Sequence, residues 1–379
     1  MMKQKLKENL LAILSRIELG FSRSKFEVKD RLNLLEPIKI MPYYGFGNRH
    51  YVYLKGRVLE QEKVREKQDQ GSDWEHLKDT YKRFESDEIP GILIQGSFAG
   101  QQKQIRTDHE GFFEFEFRFE SPVDFEKSGK KVELELLETK TDKDKTKAEG
   151  EIFVPDKDTE FGILSDIDDT VLVSKITHFL ARLKLSLLDD ASERSPFPGI
   201  AAFLRALQKG SDNKKSNPLF FVSGSEWNLY DLLINFFRYH DIPEGPLLLK
   251  DKGLQQKELR IDTKGSPHKI ERIRHVLDTF PFLKFICIGD SGEQDPETYL
   301  DILEEYPDQI LAIYIRDVSE QDRDREVNEI KKKVNEKGVE MLLVEDTVTA
   351  AKHALGANWI NQSQLQEIAR ECEKDRGKT

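Results

Sequence analysis

An apolar run breaks abruptly into acidic residues in the segment Phe161-Gly-Ile-Leu-Ser-Asp166-Ile-Asp168-Asp169-Thr170. A short β-prone run of this kind predicts a buried strand, so these carboxylates would crowd together where the strand ends. Such carboxylates repel one another unless a cation or a substrate offsets their charge. Mg²⁺ prefers carboxylate oxygens and shares its coordination shell with phosphate. The segment therefore favours phosphate chemistry; the alternative is an acidic loop in which Asp169 or Thr170 caps a helix.

A second group of acidic residues also follows directly after an apolar run. The apolar run Phe285-Ile-Cys-Ile leads directly into Gly289-Asp290-Ser-Gly-Glu-Gln-Asp295. If the two strands are neighbours, Asp166 and Asp290 can ligate one Mg²⁺, and the substrate phosphate and waters complete the octahedron.

Two further residues are candidates for binding a phosphoryl group. Ser223 follows the apolar run that begins at Leu219, and a hydroxyl at this position can bond a phosphoryl oxygen. Lys269 stands at the start of a predicted helix, where the macrodipole favours anions, and a phosphate or carboxylate partner would resolve that misfit. The alternatives are a common Ser-Gly-Ser turn, with Ser225 capping the next helix, and an ordinary surface lysine.

The elements around these residues alternate between strand and helix. Predicted strands cover residues 161–164, 219–222, 247–249, 285–288, 311–315 and 341–344. Predicted helices lie between them at 199–209, 228–239, 267–280 and 295–305. This alternation predicts an α/β domain with a mainly parallel sheet. In such sheets the ligand binds beyond the carboxyl ends of the strands, where the candidate residues lie.

The residues before the α/β domain have a different sequence pattern. Short runs that alternate apolar and polar side chains predict an antiparallel β-sandwich over residues 36–156, with a charged insertion at 61–87. We therefore predict an N-terminal amphipathic helical segment (1–35), the sandwich, an α/β domain (157–357) and a C-terminal tail (358–379).

Composition narrows the functional classes. The chain has 379 residues, of which 37% are hydrophobic and 34% charged, which is typical of a soluble globular protein. The net charge of −11 argues against binding to nucleic acid. Two cysteines form no disulfide framework, and the N-terminal apolar run is too short for a signal peptide or membrane span. We expect a cytoplasmic protein whose contact with a membrane would be peripheral; the sequence does not specify its oligomeric state.

Read together, the motifs resemble the haloacid dehalogenase superfamily of phosphotransferases. They occur in its order: D-x-D-x-T, a Ser or Thr after the next strand, a lysine on a helix, and an acidic loop. The region from about residue 160 to 354 is similar to the catalytic domain of the actin-patch type of phosphatidate phosphatase and its bacterial relatives. The motifs that carry this closer similarity are Ser165-Asp-Ile-Asp-Asp-Thr, Pro196-Phe-Pro-Gly, Trp227-Asn-Leu-Tyr-Asp-Leu-Leu, Gly245-Pro-Leu-Leu-Leu, His268-Lys, Gly289-Asp-Ser-Gly and Ile313-Tyr-Ile-Arg-Asp. One departure is Gly224, where many members carry a second serine.

The resemblance implies a role for each candidate residue. Asp166 would be the nucleophile that forms an aspartyl-phosphate, and Asp168 the general acid and base. Ser223 and Lys269 would hold the phosphoryl oxygens, and Thr170, the third residue expected to bind phosphate, would orient the motif loop beside them.

The resemblance also implies a metal site and a fold. Mg²⁺ would be held by the carboxylates of Asp166 and Asp290 and the main-chain carbonyl of Asp168, with Asp295 as a further or alternative ligand. The fold would be a Rossmann-like, haloacid dehalogenase-like domain preceded by the sandwich.

The substrate is expected from the resemblance alone to be phosphatidate, which yields diacylglycerol and phosphate. A basic amphipathic helix predicted at 174–188 can form a cap that lies on a lipid interface, or can simply pack on the domain. The alternatives are a phosphatase of a soluble phosphoester or phosphoprotein, and a non-catalytic scaffold that acts through its β-domain.

Overall fold

A computed structural model describes residues 37–60, 88–139, 145–168, 170–171, 197–251, 264–318 and 321–377. Contacts divide the chain into two compact units, Met1–Val154 and Pro155–Thr379. The division falls after Val154, two residues before the boundary predicted after Asp156. Three predicted features lie outside the described residues: the segment 1–35, the charged insertion 61–87 and the helix 174–188.

The N-terminal unit is built on one mixed β-sheet of eight strands in the order β1-β3-β2-β8-β7-β4-β5, with β6 paired to β3. The strands are β1 (Ile38–Pro42), β2 (Gly45–Asn48), β3 (Tyr51–Glu60), β4 (Leu93–Phe98), β5 (Gln101–Arg106), β6 (Phe112–Arg118), β7 (Lys131–Leu136) and β8 (Lys147–Phe153), with a short helix α1 (Phe125–Ser128) before β7. The pairs are antiparallel except for the parallel pair β2–β8.

Alternating side chains give this sheet its buried face. Along β6, Phe113, Phe115 and Phe117 are buried and join one apolar core, while Glu114 between them is exposed. The predicted alternation is therefore found, but β1, β2 and β5 were not predicted. The first two are short, and β5 reads Gln-Gln-Lys-Gln-Ile-Arg, which has no apolar face to reveal it.

The C-terminal unit contains a six-stranded, wholly parallel sheet in the order β11-β10-β9-β12-β13-β14. Its strands are β9 (Gly162–Asp166), β10 (Leu219–Glu226), β11 (Leu247–Lys250), β12 (Phe285–Asp290), β13 (Ile310–Arg316) and β14 (Glu340–Val344). Its helices are α2 (Ile200–Lys209), α3 (Tyr230–Tyr239), α4 (Pro267–Thr279), α5 (Asp295–Glu305), α6 (Gln321–Glu336), α7 (Thr347–Gly356) and α8 (Gln362–Arg376). The predicted alternation of strand and helix in a parallel α/β domain is confirmed.

The C-terminal residues 358–379 are not merely a tail. They contain α8, whose buried Ile368 and Cys372 pack in the C-terminal unit, and whose Glu371 pairs with Arg205 of α2 at 2.5 Å. The prediction missed α6, α7 and α8. Dense charge conceals a narrow apolar stripe in α6 and α8, whereas α7 (Thr347–Gly356) has one lysine and small or β-branched residues that form no marked helical pattern. No helix among the described residues is long and apolar enough to span a membrane.

The start of β9 is fixed by a buried asparagine. Asn217 is fully buried; its side-chain oxygen accepts hydrogen bonds from the backbone N–H groups of Glu160 (3.0 Å) and Phe161 (3.5 Å), and its amide donates to the Leu207 carbonyl at 2.9 Å. These bonds tie the loop before β10 to both β9 and α2.

We expect Asn217→Ala to lower the free energy of unfolding of the C-terminal unit by about 2 kcal/mol, because buried backbone groups lose their partners. Differential scanning calorimetry measures the change. Asn328→Ala, which removes one exposed hydrogen bond to the Asp324 carbonyl, is the matched control. Equal melting temperatures for the two variants would contradict this role of Asn217.

Candidate active site

Parallel pairing brings the acidic strand ends together. Strand β9 lies between β10 and β12, and its register pairs Asp166 with Val222 and Ser165 with Ile288. Strand β9 is buried along its whole length, which explains its continuous apolar sequence. As a result, the residues that follow Val222 and Ile288 lie at the same edge of the sheet as Asp166.

Lys269 lies among the acidic side chains and binds three of them. It lies in the first turn of α4, it is 4% exposed, and its ammonium donates to three carboxylates. The distances from Lys269 Nζ are 2.7 Å to Asp166 Oδ1, 2.6 Å to Asp295 Oδ1 and 3.0 Å to Glu293 Oε2. The anionic partner expected for a lysine at a helix start is therefore present as carboxylates. Glu293 was not predicted, although it belongs to the acidic loop already noted.

The loop after β12 orients Asp290. Asp290 Oδ1 accepts hydrogen bonds from the backbone N–H groups of Gly292 (2.7 Å) and Glu293 (2.9 Å), and the Asp290 N–H donates to Asp295 Oδ2 at 3.2 Å. Gly289 permits this approach, because a Cβ there would lie 2.5 Å from Asp295 Oδ2. The loop and the start of α5 thus hold two carboxylates close together.

Asp168 belongs to a second, hydroxyl-lined part of the site. Ser223 Oγ donates to Asp168 Oδ2 at 2.7 Å, and Ser225 Oγ lies 3.4 Å from the same oxygen. The Ser225 N–H also donates to Ser223 Oγ at 2.9 Å. Ser225 is not the helix cap considered from the sequence, since Glu226 is the N-cap of a short 3₁₀ helix (Trp227–Leu229) and Leu229 is the N-cap of α3. Its contact with Asp168 was missed because a Ser-Gly-Ser turn has no specific signature.

Thr170 is buried, and its hydroxyl makes no hydrogen bond with a described residue. It lines a small cavity of about 20 Å³ together with Phe197, Tyr314 and Arg316. The predicted contact of Thr170 with phosphate stays a prediction.

The acidic cluster carries more negative charge than Lys269 offsets. Burial and then the neighbouring Asp295 raise the pKa of Asp166 well above its usual range, against the opposing effect of Lys269. Burial and Asp295 also raise the pKa of Asp290 to about 7, and burial raises the pKa of Asp295. Burial would lower the pKa of Lys269, but Asp166, Asp295 and Glu293 outweigh it and raise that pKa well above its usual range. Residual negative charge of this kind favours a bound cation.

Three carboxylates meet the geometric requirement for a metal site. One oxygen from each of Asp166, Asp290 and Asp295 lies within 4.8 Å of the others. The Oδ2 atoms of Asp166 and Asp290 are buried and have no hydrogen-bond partner among the described residues. Both oxygens of Asp295 already accept hydrogen bonds. Hard carboxylate oxygens in this arrangement fit Mg²⁺, with Asp166 and Asp290 the better placed ligands.

Comparison with known proteins identifies the class of this site. Residues 161–317 match the family model described as "Phosphatidate phosphatase APP1, catalytic domain". The resemblance of this segment to actin-patch phosphatidate phosphatase catalytic domains, seen in the sequence, is therefore confirmed.

Individual relatives agree with the family match. The chain is 32% identical over 155 residues to "Phosphatidate phosphatase APP1" of Saccharomyces cerevisiae, and 27% identical over 158 residues to an uncharacterized protein of Schizosaccharomyces pombe. Each match covers 41% of this chain but only 25% of the relative. A solved carbohydrate acetylesterase from Xanthomonas citri aligns over 71% of this chain and 65% of its own at 10% identity, but a TM-score of 0.24 gives this likeness no weight.

We expect Lys269→Met to lower the free energy of unfolding by about 3–5 kcal/mol, because buried carboxylates lose the cation they share. Thermal unfolding in Mg²⁺-free buffer measures the change. Lys215→Met is the matched control, since Lys215 contacts Glu160 and Asp212 at 3.5 and 3.6 Å on the surface, and we expect it to shift the melting temperature little. A Lys269 variant as stable as this control would show that the ammonium group is not the charge that holds the cluster.

Proposed function

We propose that this chain is a Mg²⁺-dependent phosphatase that hydrolyses phosphatidate to diacylglycerol and phosphate through an aspartyl-phosphate intermediate. The proposed framework is a haloacid dehalogenase-like catalytic domain preceded by a β-sandwich. The observation that carries the proposal is the asymmetric Asp166 carboxylate: Oδ1 is held by Lys269, and Oδ2 is buried without a hydrogen-bond partner among the described residues. A carboxylate fixed through one oxygen is suited to attack phosphorus with the other.

The first chemical step forms the intermediate. Asp166 Oδ2 attacks phosphorus, the bond between phosphorus and the ester oxygen breaks, and protonated Asp168 gives its proton to the departing oxygen. Asp168 is placed for this role by Ser223, whose hydroxyl donates to Asp168 Oδ2.

The second step returns the enzyme to its starting state. A water molecule attacks the phosphorus of the aspartyl-phosphate and loses a proton to Asp168. The bond between phosphorus and the Asp166 oxygen breaks, which releases phosphate and restores the Asp166 carboxylate. Lys269 would bind the phosphoryl oxygens through both steps, and Ser223 would turn its single hydroxyl hydrogen from Asp168 to a phosphoryl oxygen when the substrate binds. These contacts supply positive charge and a directed hydrogen bond to a loose transition state.

The residues present fit a bound Mg²⁺. Asp166, through the Oδ1 that Lys269 also contacts, and Asp290, through Oδ2, would hold it together with the main-chain carbonyl of Asp168, which leaves Asp166 Oδ2 for the attack on phosphorus. When bound, the ion would shield the negative charge of the substrate from the attacking carboxylate. Asp295 would act chiefly by holding Lys269 and the Asp290 N–H, the two hydrogen bonds that already occupy its oxygens.

Phosphatidate is supported by the similarity of residues 161–317 to phosphatidate phosphatase catalytic domains. We place the protein in the cytoplasm, in peripheral contact with the membrane that supplies this lipid. Two alternatives from the sequence define the controls: a phosphatase of a soluble phosphoester or phosphoprotein, and a scaffold without catalysis.

Phosphate release from phosphatidate in mixed micelles and from an aryl phosphate separates the roles of the two aspartates. We expect Asp166→Asn to reduce release from both substrates by about 10³-fold or more, because the nucleophile is lost. Asp168→Asn should cost about 10²–10⁴-fold with phosphatidate but much less with the aryl phosphate, whose acidic leaving group needs no proton.

Asp308→Asn, an exposed change remote from the cluster, is the matched control and should keep full activity. Release from the aryl phosphate alone, dependent on Asp166, would retain the mechanism and reject the lipid. No Asp166-dependent release from either substrate would favour the scaffold.

Mg²⁺ should raise the melting temperature of the C-terminal unit, since it binds the native carboxylate cluster and not the unfolded chain. A concentration about 100 times the dissociation constant adds about 2.7 kcal/mol. We expect Asp290→Asn to lose this response and Asp308→Asn to keep it, as measured by thermal unfolding with increasing Mg²⁺. A full response in the Asp290 variant would place the cation elsewhere.

A further inference from the structure

Arg323 of α6 reaches into the loop that carries Asp290. Its Nε donates to the Ser291 carbonyl at 3.0 Å, and its Nη2 donates to the Glu293 carbonyl at 2.8 Å. Arg323 lies outside the segment 161–317 that matches the phosphatase family.

The contacts of Arg323 connect directly to the Asp290 carboxylate. The Ser291 carbonyl and the Gly292 N–H belong to one planar peptide group. Arg323 holds the carbonyl end of this group, and the N–H end donates to Asp290 Oδ1 at 2.7 Å. Glu293 is held less directly: its N–H donates to the same Asp290 oxygen at 2.9 Å, and its carbonyl, which belongs to the next peptide group, accepts from Arg323.

The guanidinium is itself held from two sides. Glu297 in the first turn of α5 accepts from Nη1 at 2.5 Å and from Nη2 at 2.8 Å, and Glu326 of α6 accepts from Nη1 at 2.9 Å. A planar fork that satisfies a carboxylate and two carbonyls at once is specific to arginine. The acidic loop is thereby fastened to both α5 and α6.

We propose that Arg323 is a positioning residue for the Asp290 carboxylate and so for Mg²⁺ binding. This role rests on the metal site of the proposed function. Arg323 touches neither the reacting atoms nor the ion. By fixing the Ser291–Gly292 peptide group and the Glu293 carbonyl, on either side of the Gly292–Glu293 peptide group, it keeps Asp290 Oδ1 occupied by two backbone N–H groups and leaves Oδ2 for the cation. Residues that orient metal ligands in this way commonly change metal affinity by about 10–100-fold when replaced.

Arg274 provides a matched control. It forms a similar fork with Glu305 between α4 and α5, with Nε 2.7 Å from Glu305 Oε2 and Nη2 on Oε1, and none of these bonds involves the acidic loop. Replacing either arginine with methionine removes one tie between helices. Only the change at Arg323 releases the Asp290 loop.

Isothermal titration of the full chain with Mg²⁺ alone tests the proposal. We expect Arg323→Met to weaken Mg²⁺ binding by about 10–100-fold. Arg323→Lys should also weaken it, because a lysine cannot hold both carbonyls and Glu297. Arg274→Met should leave the dissociation constant unchanged. In phosphate-release assays the Mg²⁺ concentration for half-maximal rate should rise in the Arg323 variants, while kcat at saturating Mg²⁺ is retained.

The outcomes separate this role from the metal site itself. A folded Arg323→Met with wild-type Mg²⁺ affinity would overturn the proposal, and the lysine variant decides if the methionine variant does not fold. If Arg274→Met weakens Mg²⁺ binding equally, Arg323 acts only as a general structural contact between helices, and the proposal is overturned as well. If the wild-type chain binds no Mg²⁺, the metal site of the proposed function fails, and the role of Arg323 fails with it.

Discussion

The site depends on one buried ammonium group surrounded by carboxylates. Lys269 binds Asp166, Asp295 and Glu293, and each contact constrains a different piece of backbone: the end of β9, the start of α5 and the loop after β12. Removing this many charges from water is costly and is tolerated only when the groups satisfy one another. The same contacts leave negative charge in excess, which a divalent ion or a phosphoryl substrate would alter. The same charged groups therefore determine both the stability of the site and its ability to bind a ligand.

Asp166 and Asp168 lie in different electrostatic environments. Asp166 is held by a charge, whereas Asp168, two positions along the chain, is held by the hydroxyl of Ser223. A carboxylate paired with an ammonium group is suited to nucleophilic attack, and one bonded to neutral hydroxyls is better suited to exchange a proton. The different environments agree with the two roles proposed for these residues.

Sequence reasoning succeeded where a local pattern determines the structure. Buried parallel strands carry apolar runs, so β9, β10 and β12 were evident, and the rule that ligands bind at carboxyl strand ends pointed to Asp166, Ser223 and Asp290. Lys269 was singled out by its position at a helix start. It could not reveal which oxygen of a carboxylate is occupied. It also missed contacts made across long separations, because nothing around Arg323 signals a bond to the Ser291 carbonyl. Strand β5 escaped detection for the opposite reason, since its exposed polar side chains carry no periodicity.

The distance along the chain between Asp166 and Lys269 has a consequence for synthesis on the ribosome. The two residues are 103 positions apart, and the Asp290 loop follows later still. Domains generally fold as units during translation, with the N-terminal one first. The eight-stranded unit is complete by Val154, before the first site carboxylate is made. The nascent chain must then carry Asp168 without Ser223 until β10 emerges, and Asp166 without Lys269 until α4 emerges. Until then water is the only medium that can accommodate those charges, so we expect the strand that bears the nucleophile to be buried late.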